Sequence, residues 1–369
     1  MRKYVRAGMI GHVTRCIPVD PCAPALDALQ EAAECLKSGG LVAFPTETVY
    51  GLGGNALDGR AVQRIFEAKG RPATDPLIVH LPAVEALPMV VKSIPDVVST
   101  LAEHFWPGPL TLILPRGEKV PLSVTAGLDT VAVRVPSHPV AQALLRVSGL
   151  AIAAPSANRF GGVSPTTAGH VLRDLEGRID MVLDGGATPI GVESTVLDIS
   201  TAVPRILRPG GVSREALEAV LGPVDLLERK ASQEEAQASP GLLEKHYAPH
   251  HARLILVEIP QNEGLQEAFA HLVTQAEQSG ARVGALIADE DLAWLETQFP
   301  AMARLALGSL NDPGTVARNL YAGMRAMDEA GMDVILVRDF GTAGLGLAIR
   351  DRLYRAASQI VRHIAQNGA

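Results

Sequence analysis

Aromatic side chains are scarce, with Phe, Trp and Tyr together only 4% of the 369 residues. Any core must therefore be filled by Ala, Val, Leu and Ile, which the 47% hydrophobic content supplies. Positive charge is not in excess either. The 33 Lys and Arg stand against 40 Asp and Glu, a net charge of −7, which argues against a protein built mainly to grip nucleic acid. The cysteines, Cys16, Cys22 and Cys35, are few, odd in number and without CxxC spacing. Such a set reads as reduced thiols in the cytoplasm. No run approaches the ~18 uninterrupted apolar residues of a membrane span. The opening MRKYVRAGMIGHVTRC is basic but lacks the apolar stretch of a signal peptide. A soluble cytoplasmic protein is expected.

Chemical motifs are missing as well. There is no GxxxxGK[ST], no GxGxxG, no HExxH and no GxSxG. The P-loop, the dinucleotide fingerprint, the usual zinc hydrolases and the nucleophile elbow are thereby set aside. His246, His250 and His251 cluster in HYAPHH without acidic or cysteine partners at ligand spacing, so no metal site is assigned.

What is present reads as two α/β domains. Asp27 to Lys37 places Ala28, Leu29, Ala32, Cys35 and Leu36 on one helical face, and Gly39-Gly40 ends it. Leu41 to Phe44 follows as a buried strand. Arg60 to Ala68 is a second helix with Asp58 as its cap. Leu77–Leu81, Thr111–Leu114, Val131–Val135, Met181–Leu183, Val196–Ile199 and Arg205–Leu207 read as strands. Glu228 to Gly241 is polar and without periodicity, which marks a linker. Alternation then resumes, with strands at Leu254–Val257, Val283–Ala288, Leu305–Leu307 and Val334–Val337. Helices are expected at Leu265–Glu277, Asp291–Thr297, Pro313–Ala330 and Leu347–Ala365. Strands separated by helices favour a parallel, Rossmann-like sheet. The expected division is 1–225, a linker over 226–251, and 252–369.

Several loops carry small polar or cationic groups. FPTETVYGLG, Phe44 to Gly53, runs from a strand into a hydroxyl-rich turn where Gly51 and Gly53 would admit a ligand close to the backbone. Thr46 is either its turn-former or a ligand. Lys69 and Arg71 follow a helix, where a point charge and a planar fork suit a polyphosphate; a solvated helix end is the alternative. His80 ends a buried strand. Arg134 interrupts the apolar run Val131–Val135, a placement that demands an anion, whether a structural carboxylate or a substrate. Ser156, Asn158 and Ser164 lie in a Gly- and Pro-bounded loop after a strand, and Ser194 and Arg208 sit at similar strand ends.

In order and spacing, FPTETVYGLG, IFEAKGRP, PLIVH, AVRVP, APSAN…SPT, GVESTV, RPGG and HYAP resemble the YrdC-like family, and within it the longer two-domain threonylcarbamoyl-AMP synthases. The resemblance covers Leu26 to Leu221, the SPG…HYAP linker and the C-terminal domain. It implies a twisted mixed sheet with a central cavity, and a nucleotidyltransferase that joins L-threonine, bicarbonate and ATP for the threonylcarbamoyladenosine of transfer RNA. Thr46, His80, Arg134, Ala154 and Ser194 would surround threonine. Lys69, Arg71, Asp75, Thr130, Ser156, Asn158, Ser164 and Arg208 would hold ATP, with Lys69 and Arg71 as the catalytic cations. Tyr247 would fold over the pocket, Mg²⁺ would accompany ATP, and the product would pass to a transfer-RNA threonylcarbamoyl transferase. Asp75 stands where the family often has Asn, and Phe160 where a small polar residue is common. Two other readings of this fold are a double-stranded RNA-binding module and a carbamoyl-transfer enzyme. The first is opposed by the acidity and the second by the missing zinc-finger and acylphosphatase segments.

Overall fold

The computed structural model describes residues 13–227, 246–259 and 262–362. Most of the expected linker, 228–245, lies outside them. In the N-terminal domain the elements are β1 (Arg15–Pro18), α1 (Leu26–Lys37), β2 (Val42–Pro45), β3 (Tyr50–Asn55), α2 (Gly59–Lys69), β4 (Ile78–His80), α3 (Val97–Phe105), β5 (Leu110–Pro115) and β6 (Thr130–Arg134). They continue as α4 (Pro139–Ser148), β7 (Ile152–Ala153), α5 (Ala168–Leu175), β8 (Met181–Asp184), β9 (Thr195–Asp198), β10 (Arg205–Arg208), α6 (Arg214–Leu221) and β11 (Asp225–Leu226). The strands form one mixed sheet in the order β1-β8-β2-β3-β7-β4-β6-β5-β9-β10-β11.

Local chemistry sets the joints. The Asp58 carboxylate accepts from the Arg60 amide at 2.9 Å and starts α2, while Gly70, at φ 66°, ends it. That stop turns Lys69 and Arg71 back toward the sheet. α1 and α4 cover the β1–β8–β2 end through Leu29, Leu36, Val42, Phe44, Leu144 and Met181. A larger core joins Leu52, Ile65, Leu101, Val133 and Val171.

The glycine-rich segment of FPTETVYGLG is a strand, not an open turn. β3 pairs antiparallel with β2, and the tight turn is confined to residues 46–49, closed by the Thr46 hydroxyl on the Val49 carbonyl at 2.7 Å. Gly53 admits no ligand. A Cβ there would meet Phe44 at 2.8 Å and Ile152 at 2.9 Å, so the glycine serves packing between neighbouring strands.

The C-terminal domain contains β12 (Arg253–Val257), α7 (Asn262–Gln278), β13 (Val283–Ile287), α8 (Leu292–Gln298), β14 (Ala303–Ala306), α9 (Pro313–Glu329), β15 (Val334–Arg338), α10 (Gly346–Ala356) and β16 (Gln359–Val361). Its sheet is wholly parallel, ordered β14-β13-β15-β12-β16. It is Rossmann-like in that respect, but β15 lies between β13 and β12, unlike the 3-2-1-4-5 order of dinucleotide folds. The closing helix is shorter than its periodicity suggests. It stops at Ala356, and Ile360 and Val361 pair with Leu256 and Val257, giving their backbone groups partners in the sheet.

α7 covers one face of this sheet through Leu265, Phe269 and Leu272. α9 and α10 cover the other, in a cluster that also contains Val49, Val163, Val192 and Tyr247. The two domains therefore share a core. Gly191 allows the contact: a Cβ there would stand 2.4 Å from the Ala317 carbonyl of α9. Among the described residues, no helix is long and apolar enough to cross a membrane.

Within the C-terminal domain, Arg338 and Asp291 form a buried ion pair at 2.7 Å, and Asp291 also accepts from the Ala288 amide. Arg338→Met would leave that carboxylate buried without its charge partner. A loss of about 3–5 kcal/mol is expected by denaturant unfolding; a loss below about 1 kcal/mol would show that the pair is dispensable.

Candidate active site

The ends of β2, β4, β6 and β10 and the loops beside them enclose a small cavity. It is lined by Thr46, Thr48, Arg71, His80, Arg134, Ala154, Ser156, Glu193, Ser194, Arg208, His246 and Tyr247, among others. Its volume is about 40 Å³, room for about three waters at ~10–15 Å³ each. Positive charge dominates its wall.

Arg134 is buried at the end of β6. Its Nη2 lies 2.7 Å from Glu47 Oε1, Nη1 donates to Thr48 Oγ1 at 2.9 Å, and Nε donates to the Gly108 carbonyl at 3.2 Å. The structural carboxylate that an arginine in a buried strand demands is therefore Glu47. Arg134 still borders the cavity. Beside it, the Thr46 hydroxyl both closes its turn and meets Thr48 Oγ1 at 2.8 Å. His80 pairs in register with Arg134. Burial first, and then the charge of Arg134, push its imidazole down to about 3, so it is neutral near pH 7. Its Nδ1 is buried without a hydrogen-bond partner among the described residues.

Lys69 and Arg71 are buried, not a solvated helix end. Lys69 Nζ donates to the carbonyls of Ser156 and Asn158, both at 2.6 Å, and to Asn158 Oδ1 at 3.3 Å. Burial, followed by Arg71's charge, pushes Lys69 well below the lysine range. Three acceptors nevertheless match the three N–H bonds of an ammonium, and that geometry favours the charged form. Lys69 thus anchors the Ser156–Asn158 loop from behind the wall, while Arg71 reaches the wall itself. Arg71 binds the Asp75 and Pro76 carbonyls and pairs with the Asp75 carboxylate at 2.9 Å.

The other expected ligands divide in the same way. Ser156, Ser194, Arg208 and Ala154 line the cavity, although Ala154's amide is taken by the Ile78 carbonyl at 2.9 Å. Asn158 and Ser164 do not. Asn158 Nδ2 bridges the Arg159 and Gly162 carbonyls, and the Ser164 hydroxyl donates to Glu193 at 2.6 Å. Asp75 is turned to Arg71. Thr130 starts β6 at the end opposite Arg134, ~13 Å along the strand. Asn158, Ser164 and Asp75 support the site from outside its wall, and Thr130 lies away from it.

Glu193 was not singled out in the sequence, Thr48 only as a hydroxyl of its turn, and His246 only as part of a histidine cluster to which no metal was assigned. Glu193 is buried yet ionised. Burial works to raise its carboxyl, but Arg352, Arg208 and the Ser164 hydroxyl hold it down to about 2. Its partner Arg352 lies 159 positions away, beyond any local pattern. Tyr247 lies over the cavity as the resemblance implies, at φ 64° and 1% exposed. It is stacked on Tyr321 with ring centroids 5.7 Å apart. The adjoining Ala248 amide donates to the Gly161 carbonyl, so this strap is tied to the N-terminal domain. Phe160 meets the His246 ring edge-on at 5.5 Å, an apolar contact that a small polar residue would not make.

Among the described residues no group of His, Cys, Asp or Glu is arranged to hold a metal ion. The carboxylates nearest the cavity, Glu47, Asp75 and Glu193, are each held by an arginine.

His80 and His246 are held down to about 3, and His170 to about 4, by burial first and neighbouring arginines next. Unfolded histidines take protons below pH ~6.5 while these folded ones do not. Stability therefore falls as pH drops from ~6.5 toward 4, by up to ~1.4 kcal/mol per pH unit for each. Unfolding of wild type and His246→Gln at pH 7.5 and 5 checks this: the variant should lose less stability between the two. Equal slopes would refute it.

Known proteins share this arrangement over almost the whole chain. Residues 34–210 match the Sua5, YciO and YrdC family model described as "Telomere recombination", and residues 212–358 match "Threonylcarbamoyl-AMP synthase, C-terminal domain". The threonylcarbamoyl-AMP synthase of Bacillus subtilis is 46% identical over 330 residues, covering 89% of this chain and 92% of that protein. The Pyrococcus abyssi protein of the same name is 45% identical, covering 88% and 93%. The crystal structure of P. abyssi Sua5 complexed with L-threonine superposes with a TM-score of 0.88 at 43% identity, covering 95% of this chain and all of that one. With both domains matched over almost its whole length, the chain belongs to the threonylcarbamoyl-AMP synthase family.

Proposed function

We propose that this chain converts L-threonine, bicarbonate and ATP into threonylcarbamoyl-adenylate, pyrophosphate and water, for the N6-threonylcarbamoyladenosine at position 37 of transfer RNA. The observation that carries the reading is a small, partly enclosed cavity walled by Arg71, Arg134 and Arg208 beside the neutral polar groups Thr46, His80 and Ser194. Each cation is already fixed in place by carbonyls or carboxylates.

Threonine's carboxylate would approach Arg134, sharing it with Glu47. Neutral His80 would offer its free Nδ1 to the substrate's polar groups without adding charge. The amine, carboxylated by bicarbonate with loss of water, becomes an N-carboxylate. One of its oxygens forms a bond to the α-phosphorus of ATP as the bond to pyrophosphate breaks. Arg71 and Arg208 would stabilise the charge that builds on the phosphates, while Lys69 holds the Ser156–Asn158 loop against them. A mixed anhydride hydrolyses readily, and a cavity holding only a few waters protects it. The space beneath the strap is narrow for ATP, and lifting and reclosing of the strap that carries His246 and Tyr247 would admit it. No resident metal is needed to build the site, since its carboxylates are committed to arginines; Mg²⁺ would arrive on the triphosphate as part of the substrate. Handover to a transferase acting on transfer RNA would follow.

Pyrophosphate release with Mg²⁺, ATP and bicarbonate should depend on L-threonine, and release indifferent to threonine would sink the reading. Arg134→Met should lower kcat/KM for threonine at least ~30-fold, equivalent to ~2 kcal/mol for one partner of a buried charge pair. An unchanged value would remove Arg134 from the threonine site.

A further inference from the structure

Glu193 and Tyr247 belong to the cavity wall, yet what holds them comes from the C-terminal domain. Arg352 of α10 is fully buried. Its Nε donates to Glu193 Oε2 at 2.7 Å, Nη1 donates to Asp351 at 2.8 Å, and the guanidinium carbon stands 5.3 Å from the Tyr247 ring centre. Tyr321 of α9 touches the same two residues. Its hydroxyl donates to Glu193 Oε2 at 2.9 Å, and its ring stacks on Tyr247. Glu193, Tyr247, Tyr321 and Arg352 thus form a closed ring of contacts joining two domains and the strap.

Two features of this ring are costly for stability alone. Tyr247 occupies a left-handed backbone conformation that residues with a side chain rarely adopt. Arg352 keeps one buried nitrogen, Nη2, with no hydrogen-bond partner among the described residues. Arg352 does not line the cavity, so it would act through the residues that do.

We infer that Arg352 is a positioning residue for the reaction, fixing Glu193 and Tyr247 against each other and so setting how tightly the cavity is sealed while the mixed anhydride exists. Resting on the reaction proposed above, this makes the C-terminal domain part of the active site's closure. A guanidinium suits the task because one planar group can bind a carboxylate at its edge and face an aromatic ring. Loosening it leaves the chemistry's own cations in place but lets water reach the product.

The test is single-turnover reaction of the full chain, quenched early, measuring both pyrophosphate released and threonylcarbamoyl-adenylate recovered. Arg352→Met should raise the ratio of pyrophosphate to recovered adenylate several-fold. Arg352→Lys, which keeps the charge toward Glu193, should return it part of the way. Arg350→Met is the control, since Arg350 of the same helix binds Asp339 and Glu258 instead, and its ratio should stay at the wild-type value. Should Arg352→Met fail to fold, Tyr321→Phe carries the test and should also raise the ratio. An unchanged ratio in these variants, or a parallel fall of both products, overturns the inference while the reaction stands. Absence of threonine-dependent pyrophosphate release in the wild type would instead overturn the reaction itself.

Discussion

Burial of positive charge around one cavity is the constraint on which the surrounding structure depends. Lys69, Arg71, Arg134 and Arg208 are all nearly inaccessible to solvent, and an uncompensated buried cation is too expensive to keep. Each is therefore met by oxygen atoms that the fold brings to it. The Ser156–Asn158 loop curls onto Lys69, the 75–76 turn onto Arg71, Glu47 and Thr48 onto Arg134, and the Ser194 carbonyl onto Arg208. The loops are tethered to the cations through these carbonyls and carboxylates. Catalysis by preorganised charge requires such tethering, since groups already oriented need no rearrangement as charge moves.

The neutral histidines follow from the same constraint. In a buried pocket crowded with arginines, a further positive charge on an imidazole is doubly opposed. His80 and His246 are therefore polar without being charged. The C-terminal domain extends the scheme. α9 contributes Asp328, whose carboxylate gathers the amides of His250, His251 and Ala252 and so fixes where the strap ends. Arg325 of the same helix binds Asp174 and the Val163 carbonyl of the N-terminal domain. The second domain is a partner in the site, not an appendage on a linker.

Much of this was legible in the sequence, because the relevant signals are short-range. β-branched runs marked β5, β6, β13 and β15, and Asp58 marked the start of α2. Where long-range contacts decide, the sequence misleads. β3 looks like a glycine turn because its glycines answer to Phe44 and Ile152 across the sheet. α3, α4, α5 and α6 went unread, although His138, Thr167 and Ser213 cap three of them. β1, at the sheet's edge, was also unread. Of the site residues set at strand ends, His80, Arg134 and Arg208 line the cavity, while Thr130 does not. Asn158, Ser164 and Asp75 carried the right polarity but turn it to neighbours that spacing cannot reveal. Glu193 was unreadable because two of the groups that hold its carboxylate, Tyr321 and Arg352, arrive from a distant part of the chain.

That distance bears on how the molecule is made. Ribosomal synthesis proceeds from the N-terminus, and domains tend to fold as they emerge. The mixed sheet can assemble while α9 and α10 are still unmade. At that stage Glu193 has the Ser164 hydroxyl and Arg208 near it but neither Tyr321 nor Arg352, and Tyr247 lacks the ring it stacks on. A nascent chain can thus acquire the anion-binding loops early, yet it cannot protect a labile anhydride until nearly its last helix is complete.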